Sequence, residues 1–217
     1  MDQIPVPIAH LRQDYRRQAL LEKEVDPDPL RQFQIWFEQA LQAELREPNA
    51  MTLATVSAEG NPSARMVLLK ELDQQGFVFY TNSQSRKGQE LAQTPRAALV
   101  FWWPDLERQV RVEGQVAKVT EAEADQYFSI RPRGSQLGAW ASAQSQVICD
   151  RTHLDQRLQA LEQQYQDQQI PRPAYWGGYR LQPSMIEFWQ GRSNRLHDRL
   201  CYRQDQAGQW QLERLSP

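Results

Sequence analysis

The chain has 217 residues, 40% of them hydrophobic and 24% charged, with a formal net charge of −2. That length can build one substantial core without staples, and the charge balance excludes a general nucleic-acid binder, which needs a strong basic excess. No apolar run nears the ~18 residues of a membrane span, no signal-like apolar stretch opens the chain, and Cys149 and Cys201 lie too far apart for a disulfide framework or zinc site. The two thiols are expected to be buried in a reducing, cytoplasmic compartment.

Residues 1–26 are polar and charged, with a short helical pattern from Ile8 to about Ala19. They are expected to form a flexible arm or lid beside a single domain spanning 27–217. The segment DPDPLRQFQIWFEQALQAELREP reads as a helix, with Asp28 as cap and Pro29 in the first turn. Leu30, Phe33, Phe37, Ala40 and Leu41 share one face, and Pro48 is expected to end it. From Met51 the period becomes that of strands, in MTLATVS, SARMVLLKEL, GFVFYTN, RAALVFWW and RQVRVEGQVAKVT, separated by the turns AEGNP, DQQG and PDLE. SRKGQELAQ is a short helix between the third and fourth. Helices follow near EAEADQYFSI, SQLGAWAS and Thr152–Gln166, and then WGGYRLQP, MIEFWQG, HDRLCYRQD and QWQLERL read as four strands. Successive strands with short connections predict an antiparallel, mainly β fold with flanking helices, not a Rossmann alternation.

Chemistry carried by familiar loops is absent. There is no GxGxxG, no GxxxxGK[ST], no HExxH and no GxSxG, and the three histidines, His10, His153 and His197, are scattered. An enzyme of this sequence would use an organic cofactor and no metal.

The placement of cations is more informative than their number. Ser85 can cap the SRKGQELAQ helix, which puts Arg86 and Lys87 at the end of the macrodipole where cations are disfavoured. An anion held there would resolve the conflict; a solvated charge pair is the other reading. Arg131 and Arg133 repeat the pattern ahead of Ser135, a second candidate cap. Arg195, His197 and Arg199 alternate, so an extended chain puts all three on one face and Leu196, Asp198 and Leu200 on the other. Arg65 and Lys70 have opposite parity, which means different faces or a bulge between them. The tryptophans read as core, with Trp189 the one placed against a ligand.

The stretches RMVLLK, FYTN followed by SRKGQEL, LERQVRVEG, YFSIRPRGSQLGAWAS, WGGYRLQP and IEFWQGRSNRLHDR resemble the pyridoxamine 5'-phosphate oxidase family, from the IAHLRQDY arm to the closing ERLSP. The resemblance implies a split β-barrel flavoprotein that binds FMN at the interface of a homodimer. It implies that Arg65, Met66, Val67, Leu68, Leu69, Lys70, Tyr80, Thr81, Arg86, Lys87, Gln109, Gln144, Ser145, Trp189 and Arg199 contact FMN. Lys70, Tyr127, Arg131, Ser135, Arg195 and His197 would hold the substrate, with Arg195 and His197 nearest the reacting ring, and Arg12 and Tyr15 would close over it. The implied reaction oxidises pyridoxamine or pyridoxine 5'-phosphate to pyridoxal 5'-phosphate, with O2 as acceptor and no nucleic-acid or membrane partner. Another split-barrel FMN enzyme, such as a flavin reductase, and a non-catalytic flavin or B6-phosphate binder are the alternatives.

Overall fold

The computed structural model describes residues 14, 15 and 18–217. The expected helix from Ile8 to Ala19 falls mostly outside them; 14, 15, 18 and 19 themselves are not helical. The chain forms two compact units, one from the described residues up to Pro48 with 102–110 and 186–217, the other from 49–101 and 111–185.

In the first unit, helix α1 (Pro29–Gln42) starts as expected, with the Asp28 side chain accepting from the Leu30 N–H at 2.9 Å. Its buried face is Pro29, Gln32, Phe33, Trp36 and Ala40, one step round from the expected stripe, and Leu41 is 53% exposed. The helix ends well before Pro48 because the chain turns through positive φ at Glu44 and Glu47. Trp36 packs edge-on to Phe188 at 5.1 Å, and Phe188 packs on Tyr202 at 5.7 Å. The Arg108 guanidinium covers the other side of Trp36 at 4.3 Å.

In the second unit, β1 (Ala50–Val56) buries alternate residues and pairs antiparallel with β2 (Pro62–Leu68), Leu53 opposite Arg65. The expected long second strand breaks at Leu69 and Lys70 before a short β3 (Glu71–Asp73). At the break the Leu69 N–H donates to Asn49 O and the Lys70 N–H to Val78 O, so each backbone group changes partner strand. Next come β4 (Gly76–Asn82), α2 (Arg86–Gln93), β5 (Arg96–Trp103) and β6 (Arg108–Lys118). Helices α3 (Glu121–Ser129), α4 (Arg133–Ala141) and α5 (Arg151–Gln164) precede β7 (Trp176–Gln190), and β8 (Asp198–Gln204) and β9 (Trp210–Arg214) close the chain. The strand order is β2-β1-β5-β6-β7-β4-β3, with β8 on β7 and β9 on β8. The mainly β, helix-flanked class is as expected.

Two elements differ from the sequence reading. WGGYRLQP and MIEFWQG are one 15-residue strand through Pro183. The backbone there is tightly approached: a Cβ at Gly114 would lie 2.0 Å from Gln182 O, and one at Gly76 2.0 Å from Leu181 O. Helix α4 starts from Pro132, whose carbonyl accepts from the Ser135 and Gln136 N–H groups, so Ser135 lies within the first turn and is not the cap. Cys201 is buried, but Cys149 is exposed, because residues 143–150 carry no regular structure and no core against which a thiol could pack.

Candidate active site

Helix α2 begins as the sequence predicts. Ser85 Oγ accepts from the Gly88 N–H at 3.3 Å and donates to Asn82 O at 2.6 Å. This puts Lys87 inward and Arg86 outward. The Lys87 ammonium is buried and, among the described residues, is held by neutral acceptors, Gln144 Oε1 at 3.0 Å, Thr81 Oγ1 at 3.3 Å and Ser85 Oγ at 3.5 Å. Burial, and then the nearby Arg65, push it below the ordinary lysine range, against the pull of Glu90. Arg86 instead pairs with Glu90 at 2.8 Å, one helical turn on, with most of its side chain in solvent.

Lys87 opens on a cavity of about 490 Å³. β2 and the chain just after it contribute Arg65, Met66, Val67, Leu68 and Lys70; β4 contributes Tyr80 and Thr81. The break at Leu69 thus answers the parity conflict: it lets Arg65 and Lys70 line one cavity, while Leu69 itself is buried. From the helical side come Tyr127, Arg131, Ser135 and Gln144. Four lining residues are cationic and none is acidic; Glu90 behind the wall pairs with Arg65 at 3.4 Å, and an anion in the cavity would offset the repulsion that remains.

Its aromatic wall is ordered. Tyr80 and Tyr127 stack at 4.0 Å with an interplanar angle of 19°, and Tyr80 and Trp176 at 5.3 Å and 11°. Burial foremost, then Glu71 and Glu123, raise the Tyr80 hydroxyl to about 12, so it stays protonated. The Arg131 guanidinium lies over Trp176 at 4.5 Å, with one terminal nitrogen buried and unpartnered. Trp176 read as core in the sequence; it is both core and cavity wall, and only the WGG context marked it.

Other expected residues form a separate group in the first unit. Trp189 is half-buried, with the His197 ring 4.6 Å away and Tyr15 edge-on at 5.8 Å. Gly191 admits that Tyr15 ring: a Cβ there would lie 2.8 Å from Tyr15 Cγ. His197 Nδ1 accepts from the Arg192 N–H at 3.1 Å, which leaves the proton of the neutral ring on Nε2. Burial, then Arg195, lower its pKa.

The alternating basic face does not form. Residues 193–195 make a 3₁₀ turn with φ of 56° at Asn194 and 61° at Arg195, and β8 starts only at Asp198. Arg195 is exposed, and Leu196, expected opposite, is 69% exposed. The Arg199 guanidinium is held by buried Glu187 at 2.8 and 3.1 Å. Gln109 is half-buried on β6, and Ser145 is exposed at φ 71°. Arg12 lies outside the described residues.

Residues 37–165 match the family described as pyridoxamine 5'-phosphate oxidase, and 176–217 match the pyridoxine 5'-phosphate oxidase C-terminal dimerisation region. The chain belongs to the pyridoxamine 5'-phosphate oxidase family. A relative from Acaryochloris marina, named pyridoxine/pyridoxamine 5'-phosphate oxidase, is 70% identical over all of this chain and 99% of its own length. One of the same name from Cyanothece sp. is 66% identical over 98% of this chain and 99% of its own. Among solved structures, PhzG from Burkholderia lata, in complex with tetrahydrophenazine-1-carboxylic acid, is 33% identical with a TM-score of 0.86, covering 92% of this chain and 98% of that one. A pyridoxamine 5'-phosphate oxidase-related, FMN-binding protein from Nostoc punctiforme has a TM-score of 0.69 at 16% identity, over 85% of this chain and 97% of its own. The pyridoxamine 5'-phosphate oxidase family is one of oxidoreductases, and the fold is its split β-barrel.

Proposed function

We propose that the protein oxidises pyridoxamine 5'-phosphate and pyridoxine 5'-phosphate to pyridoxal 5'-phosphate, as an FMN-dependent homodimer in the cytoplasm. The observation that carries this reading is the four-cation cavity with its buried, unpartnered Arg131 nitrogen and its Lys87 ammonium on neutral acceptors. A buried ammonium held by neutral acceptors and a buried guanidinium nitrogen with no acceptor are each unfavourable, and an anionic ligand offsets that cost. A flavin phosphate and a substrate phosphate supply the negative charge, so the residues fit both molecules.

Arg65 and Lys87, with Thr81 and Gln144, hold the FMN phosphate, and Lys70, Tyr127, Arg131 and Ser135 hold the substrate. Met66, Val67 and Leu68 line the flavin's path, and Tyr80 and Trp176 wall off water. Gln109, Trp189 and Arg199 complete the flavin site, and Arg195 and His197 the substrate site. FMN, when bound, would supply the two-electron oxidation at C4' with O2 as terminal acceptor and H2O2 as product, and water would hydrolyse the oxidised amine to release ammonia. The protein's part is orientation and charge. Arg131, braced on Trp176, fixes the phosphate end, and His197 offers its Nε2 proton to a substrate acceptor. Tyr15, seated against Gly191, borders the Trp189 and His197 rings.

The test is the absorbance spectrum of the purified protein, chromatography of the heat-released cofactor, and pyridoxal 5'-phosphate formation from both substrates with peroxide measured in step. FMN as the released flavin and stoichiometric peroxide are expected. FAD alone, or a flavin-loaded protein that turns over neither substrate, would overturn the proposal.

A further inference from the structure

Below the cavity's cationic wall lies one buried carboxylate that the sequence reading left out. Glu90, on the second turn of α2, is 5% exposed. Its Oε2 accepts from Thr55 Oγ1 at 2.5 Å, Ser63 Oγ at 2.7 Å and Arg65 Nη2 at 3.4 Å, and its Oε1 from Arg86 Nε at 2.8 Å. The same two hydroxyls hold Arg65, at 2.5 Å from Nη1 and 2.6 Å from Nη2. Two strands and one helix therefore converge on a single acceptor, and what they fix is the guanidinium of a cavity-lining arginine. A carboxylate at such depth is costly unless fully paired. Burial pushes Glu90 up, but the hydrogen bonds of Thr55, Ser63 and Arg86 outweigh it and bring it to about 2, so it stays charged.

We infer that Glu90 is a positioning residue for the flavin phosphate: with Thr55 and Ser63 it holds Arg65 against the cavity, and it places a negative charge one turn along the helix from Lys87. The inference rests on the phosphate being seated at Arg65 and Lys87, as proposed above. Removing the carboxylate adds positive potential, which by itself favours an anion. With Arg65, Arg86 and Lys87 left uncompensated, however, the one member that can release a proton at accessible pH is the buried ammonium. The site would lose a donor and an ordered guanidinium together.

The experiment strips the flavin and titrates the apoprotein with FMN and with riboflavin, which lacks the phosphate, by flavin fluorescence from pH 6 to 10. Wild type should prefer FMN, with affinity falling at high pH as Lys87 loses its proton. Glu90→Gln keeps the shape and one neutral acceptor; FMN affinity should fall roughly tenfold, the size of one charge-assisted hydrogen bond. Riboflavin affinity should stay within about twofold, since no phosphate contact is at stake, and the high-pH fall should begin at lower pH. Glu90→Ala, where it folds, should lose more FMN affinity still. Equal losses for the two flavins, an unmoved pH limb, or no loss in Glu90→Gln would each overturn the positioning role. A wild type that binds both flavins alike would instead overturn the phosphate placement, and this inference with it.

Discussion

Arg131 carries opposing costs that can be separated. Its unpartnered buried nitrogen destabilises the folded chain by about 1–3 kcal/mol, while its stacking on Trp176 returns about 0.5–2 kcal/mol. The two nearly cancel, so Arg131→Met should leave the melting temperature within a few degrees of wild type. KM for pyridoxine 5'-phosphate should rise roughly 10- to 100-fold, the worth of a lost charged hydrogen bond. Steady-state kinetics and thermal melts on the same preparation check this, and a large melting loss would make Arg131 structural. His197 gives a pH prediction. Its pKa is lowered by burial and then by Arg195, so the neutral ring is favoured in the fold. The stability this neutral ring contributes is present above the unfolded value near 6.5 and is lost as pH falls toward the lower folded value. Protonating Nδ1 removes the acceptor of the Arg192 N–H, while Nε2 keeps its proton. In Arg195→Leu the titration should move upward but stay below 6.5, because burial remains; an NMR titration of the three histidines would show whether it does.

Among elements, α2 offers a substitution whose sign propensity gets wrong. Gly88→Ala should gain about 1 kcal/mol of helix propensity. A Cβ there would lie 2.4 Å from Ser83 O and 2.7 Å from Asn82 O, both backbone atoms. Overpacking of this kind costs about 1–3 kcal/mol, so the variant should melt lower and retain less flavin; an unchanged melting temperature would mean the 82–83 loop yields. The strands at 50–56, 76–82 and 96–103 were legible from their β-branched and aromatic content, although 50–56 buries alternate residues while 76–82 is buried almost throughout. The Ser85 cap was legible from one residue's chemistry. The parity conflict of Arg65 and Lys70 left open a bulge between them, but did not place the break at Leu69 or show that both would face one cavity. Other features depend on tertiary context. Pro183 normally stops a strand, and only the glycines beside it show why β7 continues. The left-handed residues Asn194 and Arg195 ended an alternation that looked regular. Glu90 was missed because a glutamate four residues after an arginine reads as a surface pair, and only the fold brings Thr55 and Ser63 to it.

On the scale of the whole molecule, the candidate residues of one chain divide between the two compact units. Arg65, Lys87 and Arg131 belong to one, and Trp189, Arg195, His197 and Arg199 to the other. The second set lies within the segment that matches the family's dimerisation region. A twofold dimer repeats every contact, so each proposed site should take Lys87 from one subunit and the C-terminal residues from its partner. Subunit complementation tests this, provided each variant folds. Arg199 is a poor choice, since its guanidinium is ion-paired with the buried Glu187 carboxylate and its loss would disturb the fold as well as the site. Arg195 is exposed and sits at positive φ, where asparagine is well tolerated, so Arg195→Asn should leave the fold intact. Lys87→Ala and Arg195→Asn homodimers should each be nearly inactive. After reversible dissociation and random reassortment, half the dimers are mixed, and each mixed dimer has one intact site of two. Activity should recover to about a quarter of wild type. If both residues served the same subunit's site, every site in the mixed dimer would carry a lesion. Absence of recovery in a sample shown by native mass spectrometry to contain mixed dimers would therefore rule out the shared site.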